Sequence, residues 1–484
     1  MRKLENLKPE RVFYYFEELS KIPRESGNEK AASDFLINFA KNLNLEFYRD
    51  GVNNIIIKKK ATKGYENSKG VILQGHIDMV CEKELASSHN FLTDGIDLIV
   101  DGKYLRANNT TLGADNGIAI AMALAILEDH NLKHPQIEFL ATVEEETTMK
   151  GALNLENNIL SGKYLINIDS EEEAILTAGS AGGKSIKLFL KENKKEIDIL
   201  THSFFKIEVK NLFGGHSGME IDKDRLNANK ILAELLFKLK NDFNIKLSYI
   251  CGGSKDNAIP REAYAEIALA NNLVDHFRNK IDIIFENLKD KYSNIEKNIE
   301  FEISEKVENY SIFSTEFLEN YINLINELPT GVNTWLKEYT NIVESSDNLA
   351  IVRTFENEIT ILASLRSSEP TILENLLNKI INLAIKYKAV YNISNGYPEW
   401  RFRSQSLLRD TAVKTYETLF NEKMKVTVVH AGLECGAISQ HYPDLDMISI
   451  GPNIYDVHTP KEKMEIKSVE KYYNYLIELL KNLK

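Results

Sequence analysis

The sequence predicts an α/β protein built on a mostly parallel sheet and interrupted by an inserted α+β domain. Three observations carry this. Apolar runs at 71–74, 137–143 and 164–168 are continuous, as in strands covered on both faces, and each ends in His, Asp or Glu. From about 187 to about 393 the strands instead alternate polar and apolar, as in Lys206-Ile207-Glu208-Val209-Lys210 and Glu300-Phe301-Glu302-Ile303-Ser304, the mark of an antiparallel sheet with one wet face. Beyond that stretch the α/β texture returns at 425–429 and 446–452. The expected layout is 1–186 and 394–484 for one domain and 187–393 for the insert, since 484 residues exceed one compact core.

Taken in order, residues 9–23 place Val12, Phe13, Phe16, Leu19 and Ile22 on one face of a helix begun by Pro9. Residues 28–43 repeat the pattern through Ala32, Phe35, Leu36, Phe39 and Leu43. Strands are expected at 54–57 and 71–74, the second running into Gly75-His76-Ile77-Asp78-Met79-Val80, and Asp101-Gly102 suits a hairpin turn. The polar segment 108–117 leads into an almost wholly apolar helix over 118–127, which must be buried on most of its surface. Asp115 falls at its start, where a carboxylate either caps the helix or serves as a ligand. Glu144-Glu145-Glu146 follow strand 137–143 directly, and Asp169 follows strand 164–168. In the insert, helices are expected at 223–240, 273–289, 315–327 and 369–387, with Asn357-Glu358 turning a hairpin between 351–355 and 359–365. A loop carrying His458 and a helix over 465–483 close the chain.

Composition narrows the function. A hydrophobic fraction of 43% and a charged fraction of 27% are ordinary for a globular protein. The formal net charge of −12 argues against nucleic acid or an anionic membrane as partner, because both call for a Lys/Arg excess. No stretch approaches the roughly 20 apolar residues of a membrane span, and Met1 to Lys8 lacks the apolar core of a signal peptide, so a cytoplasmic protein is expected. Cys81, Cys251 and Cys435 are isolated, which disfavours a disulfide framework or a cysteine zinc site.

His76, Asp115, Glu146, Asp169 and His458 are two imidazoles and three carboxylates, each at a strand end or a helix start. Open α/β sheets place their ligands at such carboxyl ends. Two divalent metals about 3.5–4 Å apart could share one carboxylate and a water, each keeping one His and one further acid. Imidazole with carboxylate suits zinc, with manganese or cobalt as alternatives. Asp78, two residues after His76, suits the orienter of a ligating imidazole. Glu145, the acid left over, is the candidate general base for a water attacking an amide. No serine or cysteine nucleophile stands in a convincing setting. The insert carries Gly214-Gly215-His216-Ser217-Gly218, where glycines would let the backbone approach a ligand closely; a plain loop histidine fits equally well. Asn257 and Arg366 read locally as turn and surface residues.

Taken together, these motifs resemble the M20 metallopeptidases, within them the bacterial aminoacyl-histidine dipeptidase group. The matching stretches are Gly75–Val80, Thr110–Gly117, Glu145–Ala152, Asp169–Glu173, Gly214–Gly218, His430–Gly436 and His458–Pro460, in family order along essentially the whole chain. The resemblance implies that His76 and Asp169 hold one metal, that Glu146 and His458 hold the other, and that Asp115 bridges them. It implies Asp78 as orienter, Glu145 as base, a cis peptide between Asp115 and Asn116, and a lid role for the insert. It further implies that His216 stabilises the oxyanion and that Asn257 and Arg366 hold the substrate's free carboxylate. The expected substrate is a small peptide, and a homodimer is a family expectation. Glu144 departs from the pattern by making a third consecutive Glu; the register is set by Met149–Ala152. A tripeptidase, a deacylase of N-acyl amino acids and an inactive metal-binding homologue remain the alternatives.

Overall fold

The computed structural model describes residues 2–305, 311–336 and 342–484. The chain forms two compact units, one from 1–180, 400–428 and 433–484, the other from 181–399 and 429–432.

The first unit is organised on an eight-stranded sheet, in the order Glu46–Arg49, Ile55–Lys59, Ile137–Thr142, Val71–His76, Tyr164–Asn167, Asp446–Ser449, Ile175–Ser180, Lys425–Val429. The four strands from Ile137–Thr142 to Asp446–Ser449 run parallel, and antiparallel pairs flank them on both sides. Val71–His76, Ile137–Thr142 and Tyr164–Asn167 are buried at every position, as their unbroken apolar runs require. Helix Ala114–Glu128 carries thirteen buried residues and is apolar all round, so it lies within the core shared with helices Glu10–Ser20 and Ile466–Asn482. Gly75 permits its close approach: a Cβ there would stand 2.6 Å from that of Ala119.

Asp115 does not cap this helix. Its φ of −78° and ψ of 108° are non-helical, no side-chain capping bond forms, and the Asp115–Asn116 peptide is cis. The side chain faces His76 and His458 instead.

The second unit is built on a nine-stranded sheet in which every described pairing is antiparallel, from Glu300–Glu305 at one edge to Val390–Ile393 at the other. Helices Ala228–Phe243, Val274–Tyr292, Thr315–Glu327 and Pro370–Lys386 join it in a single apolar core. The first of these starts later than expected, because Asn227 accepts the Asn229 N–H and so sets the N-terminus. The hairpin also turns one residue earlier. Strands Val343–Phe355 and Glu358–Ser367 pair through Phe355 and Glu358, leaving Glu356, at φ 43°, and Asn357 in the turn. No helix among the described residues is long and apolar enough to cross a membrane.

Candidate metal centre

In the first unit, the carboxyl ends of the parallel strands deliver the polar residues to one place. His76 ends strand Val71–His76, Glu145 and Glu146 open the short helix after Ile137–Thr142, and Asp169 follows Tyr164–Asn167. Asp115 arrives from the non-helical start of helix Ala114–Glu128, after the 108–113 loop, and His458 from the loop between strands Ile454–Tyr455 and Lys463–Glu465.

One carboxylate stands between the two imidazoles. Asp115 Oδ1 is 3.1 Å from His76 Nε2, and Asp115 Oδ2 is 3.1 Å from His458 Nε2. Asp169 Oδ1 lies 3.5 Å from His76 Nε2, and Glu146 Oε2 lies 3.0 Å from His458 Nε2. Three groups of donors have atoms within 4.8 Å of one another: His76, Asp115 and Asp169; Asp115, Glu146 and His458; and His76, Glu145 and Glu146; the first two share Asp115. Glu145 Oε2 is 4.0 Å from His76 Nε2, whereas Glu144 turns away and accepts from Lys150 Nζ at 2.6 Å.

Asp78 is buried and serves four partners. His76 Nδ1 faces its Oδ1 at 3.3 Å and its carbonyl oxygen at 3.2 Å, which directs Nε2 toward the acids. Its carboxylate also accepts the N–H groups of Glu145 and Glu146, at 3.1 and 3.2 Å, and the Ser26 hydroxyl at 2.7 Å. One side chain thereby orients an imidazole and the turn carrying both glutamates.

The electrostatics describe a cluster short of positive charge. Burial pulls the His76 imidazole down, but hydrogen bonds to Asp115 and Asp169 outweigh it and hold it well above its ordinary range. Hydrogen bonds to Asp115 and Glu146 push His458 up to about 11. Burial pushes Asp169 up to about 6. It also raises the Glu145 carboxyl well above its usual range, helped by the charges of Asp169 and Glu146. Glu146 Oε1 is buried without a hydrogen-bond partner. Two imidazoles, three carboxylates and an orphaned oxygen fit divalent cations, which would replace the protons the imidazoles otherwise keep.

In the second unit, strand Gly215–His216 pairs with Ala258–Ile259, and Ser217 N–H donates to the carbonyl of Asn257, so His216 and Asn257 are neighbours there. His216 Nδ1 accepts the N–H groups of Gly218 and Met219, at 3.1 and 3.0 Å. The proton of the neutral ring is therefore on Nε2. Arg366, on strand Glu358–Ser367, is buried rather than at the surface; it donates to Tyr397 Oη at 2.6 Å, while its Nε has no partner.

A model of Peptidase family M20/M25/M40 matches residues 72–482. The chain belongs to this family. It is 36% identical over 483 residues, 100% of its own length and 99% of the relative's, to the cytosol non-specific dipeptidase of Escherichia coli strain K12. The crystal structure of an aminoacylhistidine dipeptidase from Vibrio alginolyticus superposes with a TM-score of 0.88 at 34% identity, covering 99% of this chain and 97% of that one. A tripeptidase from Staphylococcus aureus shares the fold at a TM-score of 0.58 and 16% identity, over 99% of both chains.

Three buried charged residues of this M20 chain were not singled out by sequence patterns. Arg24 donates to the carbonyls of Ile77, Asp78 and Gly113, at 2.7, 2.8 and 2.6 Å. Glu434 accepts from Gln74 Nε2 at 2.6 Å and from the Thr142 hydroxyl at 2.7 Å, and burial pushes it up to about 7. Glu462 accepts the N–H groups of Leu112, Gly113, Ala114 and Asp115; burial raises it to about 7 against the pull of those bonds. Glu434 lies within the stretch His430–Gly436 that carries the resemblance, whereas Glu462 falls just beyond His458–Pro460 and Arg24 lies in none of the matching stretches.

Proposed function

We propose that this chain hydrolyses the peptide bond of dipeptides with a free carboxyl end, Xaa-His among them, with broad tolerance for the first residue. The observation that carries the proposal is Asp115 placed between His76 and His458, each with a further acid beside it. The names of the full-length relatives, a non-specific dipeptidase and an aminoacylhistidine dipeptidase, support the substrate class.

On this reading His76, Asp169 and Asp115 hold one divalent ion, and His458, Glu146 and Asp115 hold a second; zinc suits the donor set best, with manganese or cobalt as alternatives. Bound there, the ions supply Lewis acidity that acidifies water and polarises a carbonyl. Glu145 takes a proton from the attacking water and passes it to the leaving amine, a role suited to a carboxylate 4.0 Å from His76 Nε2 that is left over from the two donor triads. Asp78 keeps His76 oriented and sets the Glu145–Glu146 turn. In the second unit, read as a lid, His216 is assigned to the developing oxyanion through its Nε2–H, and Arg366 with Asn257 to the substrate carboxylate. A cytoplasmic location and a homodimer complete the reading.

The test is a mass-spectrometric panel of free dipeptides, including β-alanyl-histidine, tripeptides and N-acetyl amino acids, incubated with and without chelator. Chelator-sensitive cleavage confined to dipeptides is expected. Cleavage of the acylated compounds alone would assign a deacylase, and no cleavage by metal-loaded protein would leave a binding homologue.

A further inference from the structure

We infer that Glu462 is a positioning residue that sets the spacing between Asp115 and His458 and thereby the metal affinity of the centre; this rests on the metal-centre reading above. Glu462 is 2% exposed. Its Oε2 accepts the N–H of Leu112 at 2.7 Å and of Gly113 at 3.0 Å, and its Oε1 accepts those of Ala114 at 2.8 Å and Asp115 at 3.4 Å. Four N–H groups converging on two oxygens suit a carboxylate, whose atoms are all acceptors; a glutamine would set its own N–H₂ against two of them. The chain they belong to ends in Asp115, so Glu462 grips the loop that carries the shared carboxylate.

The same residue is tied to His458 by a short turn. Thr459 Oγ1 donates to the Asp456 carbonyl at 2.7 Å, Lys461 N–H donates to Thr459 Oγ1 at 3.1 Å, and Glu462 N–H donates to the Thr459 carbonyl at 3.0 Å. The His458 side chain is 50% exposed, so packing alone does not hold it. Two loops separated by 347 residues at Asp115 and Glu462 therefore meet through one carboxylate. Arg24 holds the opposite side of the Asp115 loop through the Gly113 carbonyl, and the same guanidinium binds the carbonyls of Ile77 and Asp78. The loop is thus gripped by its N–H groups from the His458 side and by a carbonyl from the His76 side.

The experiment compares the full-length wild type with Glu462→Gln and with a variant carrying one glycine inserted between Pro460 and Lys461. The insertion keeps the carboxylate for the loop amides and loosens its link to His458. Zinc affinity is read by competition with a chromogenic chelator, stability by thermal unfolding of the metal-free proteins, and catalysis as separate kcat and KM. Both variants are expected to bind zinc roughly 10–100-fold more weakly, with kcat reduced and KM little changed. The insertion variant should keep the metal-free unfolding midpoint. Wild-type zinc affinity in the insertion variant would overturn the inference, as would a Glu462→Gln protein that loses metal-free stability alone. If Glu462→Gln does not fold, the insertion variant decides. A wild type that holds none of zinc, manganese or cobalt overturns the metal-centre reading itself, a result distinct from equal affinities.

Discussion

Three consecutive glutamates have three different environments, and the proposed function gives them different roles. Glu144 has a left-handed φ of 53° and pairs with Lys150 and Thr148, Glu145 faces His76, and Glu146 faces His458. Glu145→Gln is expected to lower kcat by 10²–10⁴-fold, the usual contribution of a positioned acid or base, while zinc content by elemental analysis stays near that of wild type. Glu144→Gln should retain most activity, and Glu146→Gln should lose metal as well as turnover. Inactivity of Glu144→Gln with a tolerated Glu145→Gln would move the register by one residue. The sequence left the roles of this triplet to a motif alignment, because a run of like charges carries no direction; in the structure the turn at Glu144 aims that side chain at Lys150.

At the scale of elements, the site depends on how closely strand Val71–His76 and helix Ala114–Glu128 pack. Gly75 lies against Ala119 and the side chain of Asn116, and it directly precedes His76. Gly75→Ala must force strand and helix apart, at a cost of about 1–3 kcal/mol for overpacking a tight contact. Chemical denaturation should show that loss, and chelator competition should show weaker zinc binding because His76 moves with the strand. An alanine accepted with neither change would mean that the contact relaxes freely. The strands and the apolar helix themselves were legible, since their periodicities follow from which faces are covered. At Asp115 local position alone left a cap and a ligand both open; in the structure Glu462 takes the loop amides, and the Asp115 side chain stands between the imidazoles.

For the molecule as a whole, metal and proton binding link the site to stability. Chelation of the metal-loaded protein is expected to lower its thermal midpoint in a concentration-dependent way, since free metal at 100 times its Kd stabilises the native state by about 2.7 kcal/mol; a midpoint indifferent to chelator would contradict a tightly held metal. The second unit has a separate pH dependence. His430 is buried, its Nε2 is 2.7 Å from the Ser346 hydroxyl, and burial, with Arg366, lowers its pKa to about 3. The unfolded imidazole titrates near 6.5. His430 therefore contributes stability that is present above pH 6.5 and lost as pH falls toward 3, at about 1.4 kcal/mol per unit. Replacing it with glutamine should flatten the decline in unfolding free energy between pH 6 and 4 by that slope; equal slopes would show that His430 takes its proton in the folded state.

The sequence by itself determined the alternation of covered and half-wet sheets, the apolar helix after Asp115 and the set of two imidazoles and three carboxylates, because periodicity, strand ends and residue chemistry are local properties. Only the tertiary structure decided which oxygen meets which nitrogen, that Asp78 serves both His76 and the glutamate turn, and that Arg24 and Glu462 grip the loop between them. Those contacts join residues up to 350 positions apart. A buried charge leaves no periodic signal, and its partners here are backbone groups, which every residue type presents alike.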